Sequence, residues 1–228
     1  MNSPSGNLLG IMLLYVGAVL VINGIWLIGQ ARTARAPAGS RWLTAPDGPL
    51  LGDEAERFEQ SPQASGGAVA VRAHPSVIQN REVAVVNLFT GGLGVALSIV
   101  SFVVGAVHNN LADFSFAGFV LLFAFTYLWV AANQFLNAGG HAFGWYCFFV
   151  AVTAVPTGVL TLLSAAGHVG SVWLGIDWLA WAVLWFMFFL LLALELPIAR
   201  ITGYVTVLVG VATSWALGYG LLQGRIFM

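Results

Sequence analysis

Six apolar stretches, each long enough to cross a bilayer, constrain this chain more than any other feature. They run from about Leu8 to Gly29, Val83 to Val107, Phe114 to Leu136, Ala142 to Ala166, Val172 to Leu196 and Thr202 to Gln223. A helix needs roughly 20 apolar residues to span the hydrocarbon, where its backbone N–H and C=O groups must be satisfied within the segment. A membrane β-barrel would show short alternating runs instead, and none is evident. Only 7% of the residues are charged against 59% hydrophobic, whereas soluble domains carry about a quarter charged. The expected fold is an all-α membrane protein, a bundle of six transmembrane helices, with an order of aromatic and glycine-rich segments that hints at two related three-helix halves.

The loops orient the bundle. MNSPSGN, at the start, carries no basic side chain, so the first stretch reads as a retained helix and not as a secretory signal. Arg32, Arg35, Arg41, Arg57, Arg72, Arg81 and Arg200 follow the first and fifth stretches, and Arg225 alone falls on the other side. The positive-inside rule then makes those loops cytoplasmic and puts both termini outside a multi-pass cell-membrane protein. The chain divides into residues 1–30 (outward N-terminus and first helix), a hydrophilic cytoplasmic insertion at 31–81, the remaining helices at 82–223 and an outward C-terminus at 224–228. Within the insertion, rich in Ala, Gly, Pro and charge, Asp53 to Gln60 reads as a short surface helix and His74 as a solvated side chain.

Asp177 to Phe189, DWLAWAVLWFMFF, concentrates three of the nine tryptophans. On a helix, Trp178, Trp181 and Trp185 recur at i, i+3 and i+7, and Asp177, Trp181, Leu184 and Phe188 at i, i+4, i+7 and i+11, so one face is a column of indoles with a carboxylate at one end. Such a column either packs between helices, as aromatic belts do, or lines a narrow path for a flat neutral solute, with apolar ring faces as walls and N–H tips as donors. Phe125, Trp129 and Asn133 repeat the aromatic-then-amide theme on the third stretch. Tyr15 and Asn23 are the main polar groups of the first, and an Asn in an apolar helix must find a partner, either another helix or a pore. Gly10, Gly17 and Gly24, and Gly203 and Gly210, recur at seven-residue spacing and admit close helix approach. Asn87, Thr90, Gly91 and Gly94 read as close packing, while His108 and Asp113 in the link HNNLADF read as solvated. Pro156 invites a kink, with Thr153 and Thr157 placed to satisfy freed backbone groups.

Several chemistries are excluded. Deep in the spans there is no basic residue and no histidine, and Asp177 and Glu195 lie near span ends; ion-coupled carriers and proton relays keep intramembrane ionisable groups for function. There is no HExxH, no metal-ligand spacing, no phosphate loop and no triad, so an enzyme and a bound cofactor are not expected. Cys147, the lone cysteine, forms no intrachain disulfide and reads as a packed side chain. A net charge of −1 gives no affinity for nucleic acid. A passive conduit fits best, needing only a polar and aromatic path with weak binding; a proton-coupled carrier using Asp177 or Glu195, and a scaffold recruiting a soluble enzyme, are the other classes.

LLYVGAVLVINGIW (Leu13 to Trp26), NLFTGGL (Asn87 to Leu93), FAFTYLWVAAN (Phe123 to Asn133), GWYCFFVAVTAVP (Gly144 to Pro156), WLAWAVLW (Trp178 to Trp185) and TSWA (Thr213 to Ala216) resemble, in order, the urea channel and amide transporter family (AmiS/UreI), small six-helix proteins of bacterial inner membranes. The resemblance implies one pore per subunit, a homohexameric ring, and passive flow of urea or short aliphatic amides toward a cytoplasmic urease or amidase. It also implies that Trp181, Leu184 and Trp185 form the pore constriction, faced by Phe125 and Trp129, the latter at a position that is Tyr in the family's urea channel. Two departures stand out. The urea-channel glutamate of the sixth helix, within LEG, is replaced where this chain reads Leu208, Val209, Gly210, leaving Asp177 either to take its polar role or to stand as an interface carboxylate facing water. The histidine-rich external loops that go with acid gating are also missing, with only His108 and His168 in the short links. Both departures favour short amides such as acetamide and formamide over urea, and a flux little changed by pH.

Overall fold

The computed structural model describes residues 4–33, 78–136 and 139–226, and among them six helices are long and apolar enough to span a membrane. They are α1 (Pro4–Thr33), α2 (Asn80–His108), α3 (Leu111–Leu136), α4 (His141–Ser164), α5 (Val169–Leu192) and α6 (Ala199–Leu222). No strand occurs among the described residues. The surface helix expected at Asp53 to Gln60, and His74, lie outside them.

Antiparallel pairs organise the bundle. The hairpins α2–α3 and α4–α5 each pack along their length, and α1 pairs with α6, so each three-helix half supplies one hairpin and one member of a central seam. Seven-spaced glycines build that seam. A Cβ on Gly17 would lie 2.7 Å from the Trp215 backbone nitrogen, and one on Gly24 2.7 Å from the Gly203 carbonyl oxygen. In return, a Cβ on Gly210 would meet the Gly17 carbonyl oxygen at 3.1 Å. Backbone therefore lies on backbone, which lipid-embedded helices use because van der Waals contact replaces the hydrophobic drive available in water. Beside this contact α6 widens into a π-helical turn at Gly210–Trp215, a distortion often found at functional sites.

Helix α2 is patterned inside out. Beyond Val83 and Ala84 near its start, its buried face is small or polar, with Asn87, Thr90, Gly91, Gly94, Ser98, Ser101 and Gly105, while Leu88, Phe89, Ile99, Phe102 and Val107 point outward. Small residues let α3 approach closely: a Cβ on Gly94 would lie 2.8 Å from that of Ala124. The link to α3 is tighter than the sequence suggests. Asp113 is buried rather than solvated, because it accepts from Asn110 Nδ2 at 2.8 Å and Ser101 donates to its carbonyl at 3.0 Å. Asn109 takes the left-handed backbone of the turn (φ 49°), which asparagine tolerates better than most residues.

Asn23 finds its partner across helices. Its Nδ2 donates to Asn87 Oδ1 at 3.0 Å, and Asn87 Nδ2 returns a bond to Asn23 Oδ1 at 2.7 Å. Asn87→Leu is expected to lower stability by about 1–2 kcal/mol, since Asn23 is left unpaired in an apolar bundle. Thermal unfolding in detergent checks this, and Asn23→Leu/Asn87→Leu should recover part of the loss. One turn further along, Asn80 Oδ1 accepts from Trp26 Nε1 at 2.9 Å and Gln30 Nε2 at 3.0 Å, tying the end of α1 to the start of α2. In α4, Thr153 and Thr157 donate to the carbonyls of Phe149 and Thr153, not to Val152, whose usual donor Pro156 lacks.

Candidate permeation path

Two cavities lie end to end inside the bundle. The wide one, about 330 Å³, is walled by the first half of α1 (Leu9 to Leu20), by α3 from Ala112 to Tyr127, and by Leu174 to Trp185 of α5. The narrow one, about 40 Å³, continues along the same helices through Asn23 and Trp26, Thr126 and Val130, and Phe188, closed on α4 by Phe143 and on α6 by Thr206. Leu20, Tyr127 and Trp185 belong to the walls of both. These three side chains from three helices therefore stand at the boundary, or throat, between the wide cavity and the narrow one.

The aromatic walls brace one another. The Phe123 ring lies 5.2 Å from Trp178, 5.4 Å from Trp181 and 6.0 Å from Trp185, and Phe119 meets Trp178 edge-on at 5.1 Å. Such contacts fix ring orientation beyond simple burial. Trp181 is also held by a hydrogen bond, its Nε1 donating to Thr213 Oγ1 at 3.1 Å. Thr213 sits in the π-helical turn and itself donates to the Val209 carbonyl. The widened turn thus positions an acceptor for a buried indole.

Trp178, Trp181, Leu184 and Trp185 all line the wide cavity, as the column on one helical face requires. Asn23 lines the narrow one beside its bond to Asn87. The remaining sequence candidates line neither of these two cavities. Asp177 does not face water: it is fully buried, and neither carboxylate oxygen has a hydrogen-bond partner among the described residues. The Trp185 N–H is likewise buried without one. Trp129 packs instead on Phe143 and Tyr146, at 5.6 and 5.7 Å, and Asn133 is half-buried further along the same face. Phe125 and Tyr15 sit on the outer surface, 46% and 53% exposed. Phe116, Phe119, Phe123 and Tyr127 are the aromatic residues of α3 that reach the wide cavity, and the last three form a series two positions earlier than expected. Their i, i+4, i+8 spacing was visible in the sequence; the aliphatic face of α1 that closes the throat with Leu20 carried no such mark.

Known proteins place this architecture. Residues 74–225 match the profile described as AmiS/UreI family transporter. The chain is 29% identical over 160 residues, 60% of its length and 82% of the relative's, to an acid-activated urea channel of Helicobacter pylori. It is 30% identical over 217 residues, 95% of its length and 77% of the relative's, to a protein of Mycolicibacterium smegmatis named as an amidate-substrate transporter. The crystal structure of the urea channel from Helicobacter pylori superposes with a TM-score of 0.67 at 26% identity, covering 96% of this chain and 99% of that one. On this evidence the chain is a multi-pass membrane protein that belongs to the AmiS/UreI family of transporters.

Proposed function

We propose that each protomer is a passive channel for small neutral amides, acetamide and formamide foremost and urea second, in a bacterial inner membrane. The observation that carries this reading is the pair of stacked cavities meeting at Leu20, Tyr127 and Trp185. A planar amide is thin enough to slide between ring faces. An ion is not served by such walls, which cannot replace its hydration shell, so the desolvation penalty excludes it. The arginine distribution supports termini outside the cytoplasm, and the family resemblance supports a homohexameric ring that feeds a cytoplasmic amidase, or a urease if urea is the permeant.

Osmotic swelling of proteoliposomes in acetamide, formamide, urea and glycerol tests the reading. Amides should enter well above the rate in protein-free vesicles, with glycerol lagging; equal rates in both kinds of vesicle would refute it. An imposed pH gradient separates channel from carrier, because Asp177 is the buried acid through which a carrier would couple a proton, and uphill amide accumulation would favour the carrier. Flux should vary by less than about twofold between about pH 5 and 8. The described histidines, His108, His141 and His168, line neither cavity. A steep rise on acidification would contradict this expectation.

A further inference from the structure

Helix α4 contributes only two residues to the wide cavity, Thr157 and Thr161, and they stand out in a wall otherwise dominated by aliphatic and aromatic side chains. Both hydroxyls donate their hydrogen to their own helix, Thr157 to the Thr153 carbonyl at 2.8 Å and Thr161 to the Thr157 carbonyl at 2.7 Å. A hydroxyl so committed keeps only its lone pairs for a guest. One turn apart, the two oxygens therefore offer acceptors and no donor, which suits an –NH2 group and repels a carboxylate. Phe116, Phe119 and Trp178 supply apolar surface in the same chamber. Its volume of about 330 Å³ falls at the lower end of small-molecule pockets, roughly 300–1,000 Å³. The space beyond the throat is about 40 Å³, enough for a few waters at about 10–15 Å³ each.

We propose that the wide cavity is a binding site for primary carboxamides with a bulky apolar tail, which seat their –NH2 on Thr157 and Thr161, rest the tail on the aromatic wall, and block the throat they are too large to pass. The proposal rests on the reading of the two cavities as one amide path and adds a ligand class that stops inside it.

Benzamide is the probe, with N,N-dimethylbenzamide and benzoate as comparators, titrated into the full-length protein in detergent by calorimetry while acetamide flux is followed in proteoliposomes. The wild type should bind benzamide at least about tenfold more tightly than the dimethyl compound, as expected for two lost hydrogen bonds. Benzamide should halve acetamide flux near its own Kd, and benzoate should not bind. Thr157→Val/Thr161→Val should bring the preference for benzamide close to onefold, whereas Thr157→Ser/Thr161→Ser should keep it. Equal affinity of the wild type for benzamide and its dimethyl derivative would overturn the proposal, even if the valine variant did not fold. So would benzamide binding that leaves acetamide flux untouched. Benzamide binding with the expected preference but no acetamide flux at all would refute the conduit reading and uphold the binding site.

Discussion

Leu20→Trp is expected to cut acetamide flux at least about tenfold while leaving a folded protein. Leu20 is buried and borders both cavities together with Tyr127 and Trp185, so an indole there must fill space at the boundary between them. The narrow cavity beyond it, about 40 Å³, cannot absorb the extra ring. Overfilling a packed interior costs about 1–3 kcal/mol, and a barrier higher by about 1.4 kcal/mol already slows passage tenfold. Leu20→Ala should act in the opposite sense, raising flux and admitting larger amides. Stopped-flow light scattering on both variants, with size-exclusion profiles as the check on folding, measures the effect. Tyr15→Trp on the outer surface should leave flux within about twofold.

Gly17→Leu is expected to abolish the folded bundle rather than tune it. A Cβ at this position already meets the Trp215 Cβ at 2.6 Å and its backbone nitrogen at 2.7 Å. Backbone cannot swing aside as a flexible side chain can, so α1 and α6 must separate along the seam. The loss should exceed about 3 kcal/mol, the upper end of ordinary overpacking. It should appear as a collapse in the yield of monodisperse protein and in its thermal midpoint. Gly92→Leu provides the contrast, because nothing lies within 4 Å of a Cβ there. In that open position a better helix former should be neutral or stabilising by up to about 1 kcal/mol.

These two sites differ in how far the sequence reveals them. The seven-residue glycine spacing announces close approach on α1 and on α6, although it does not say that the two helices meet each other. The spans are legible because lipid leaves a buried backbone no choice but to satisfy itself, so length and apolarity suffice. On α5 the indoles occupy one face, and spacing alone identifies that face. On α3 two aromatic series, Phe123 with Tyr127 and Phe125 with Trp129, share the same i, i+4 period but stand two residues apart, roughly 200° around the helix. Hydrophobicity cannot choose between them, since lipid welcomes an aromatic ring as readily as the bundle interior does. Packing decides: Phe123 fits among Trp178, Trp181 and Trp185, which leaves Phe125 outside. Leu20 was invisible for a related reason, being one aliphatic residue among many on α1. Asp177 looked like an interfacial acid because it lies near one end of its span, yet Trp178, Trp181 and Leu184 around it are buried and carry it into the interior.

The central claim is that solute crosses through the cavities inside one protomer, and two adjacent positions on α4 test it most directly. Thr161 lines the wide cavity, whereas Leu160 faces outward and is 65% exposed. Cys147, the native thiol, is fully buried and so does not compete for a polar reagent. Acetamide flux should be measured on Thr161→Cys and Leu160→Cys proteoliposomes before and after a bulky charged methanethiosulfonate, with labelling verified by mass. The account predicts that modification at position 161 removes most of the flux and that modification at 160 does not. Undiminished flux through fully labelled Thr161→Cys protein would contradict it.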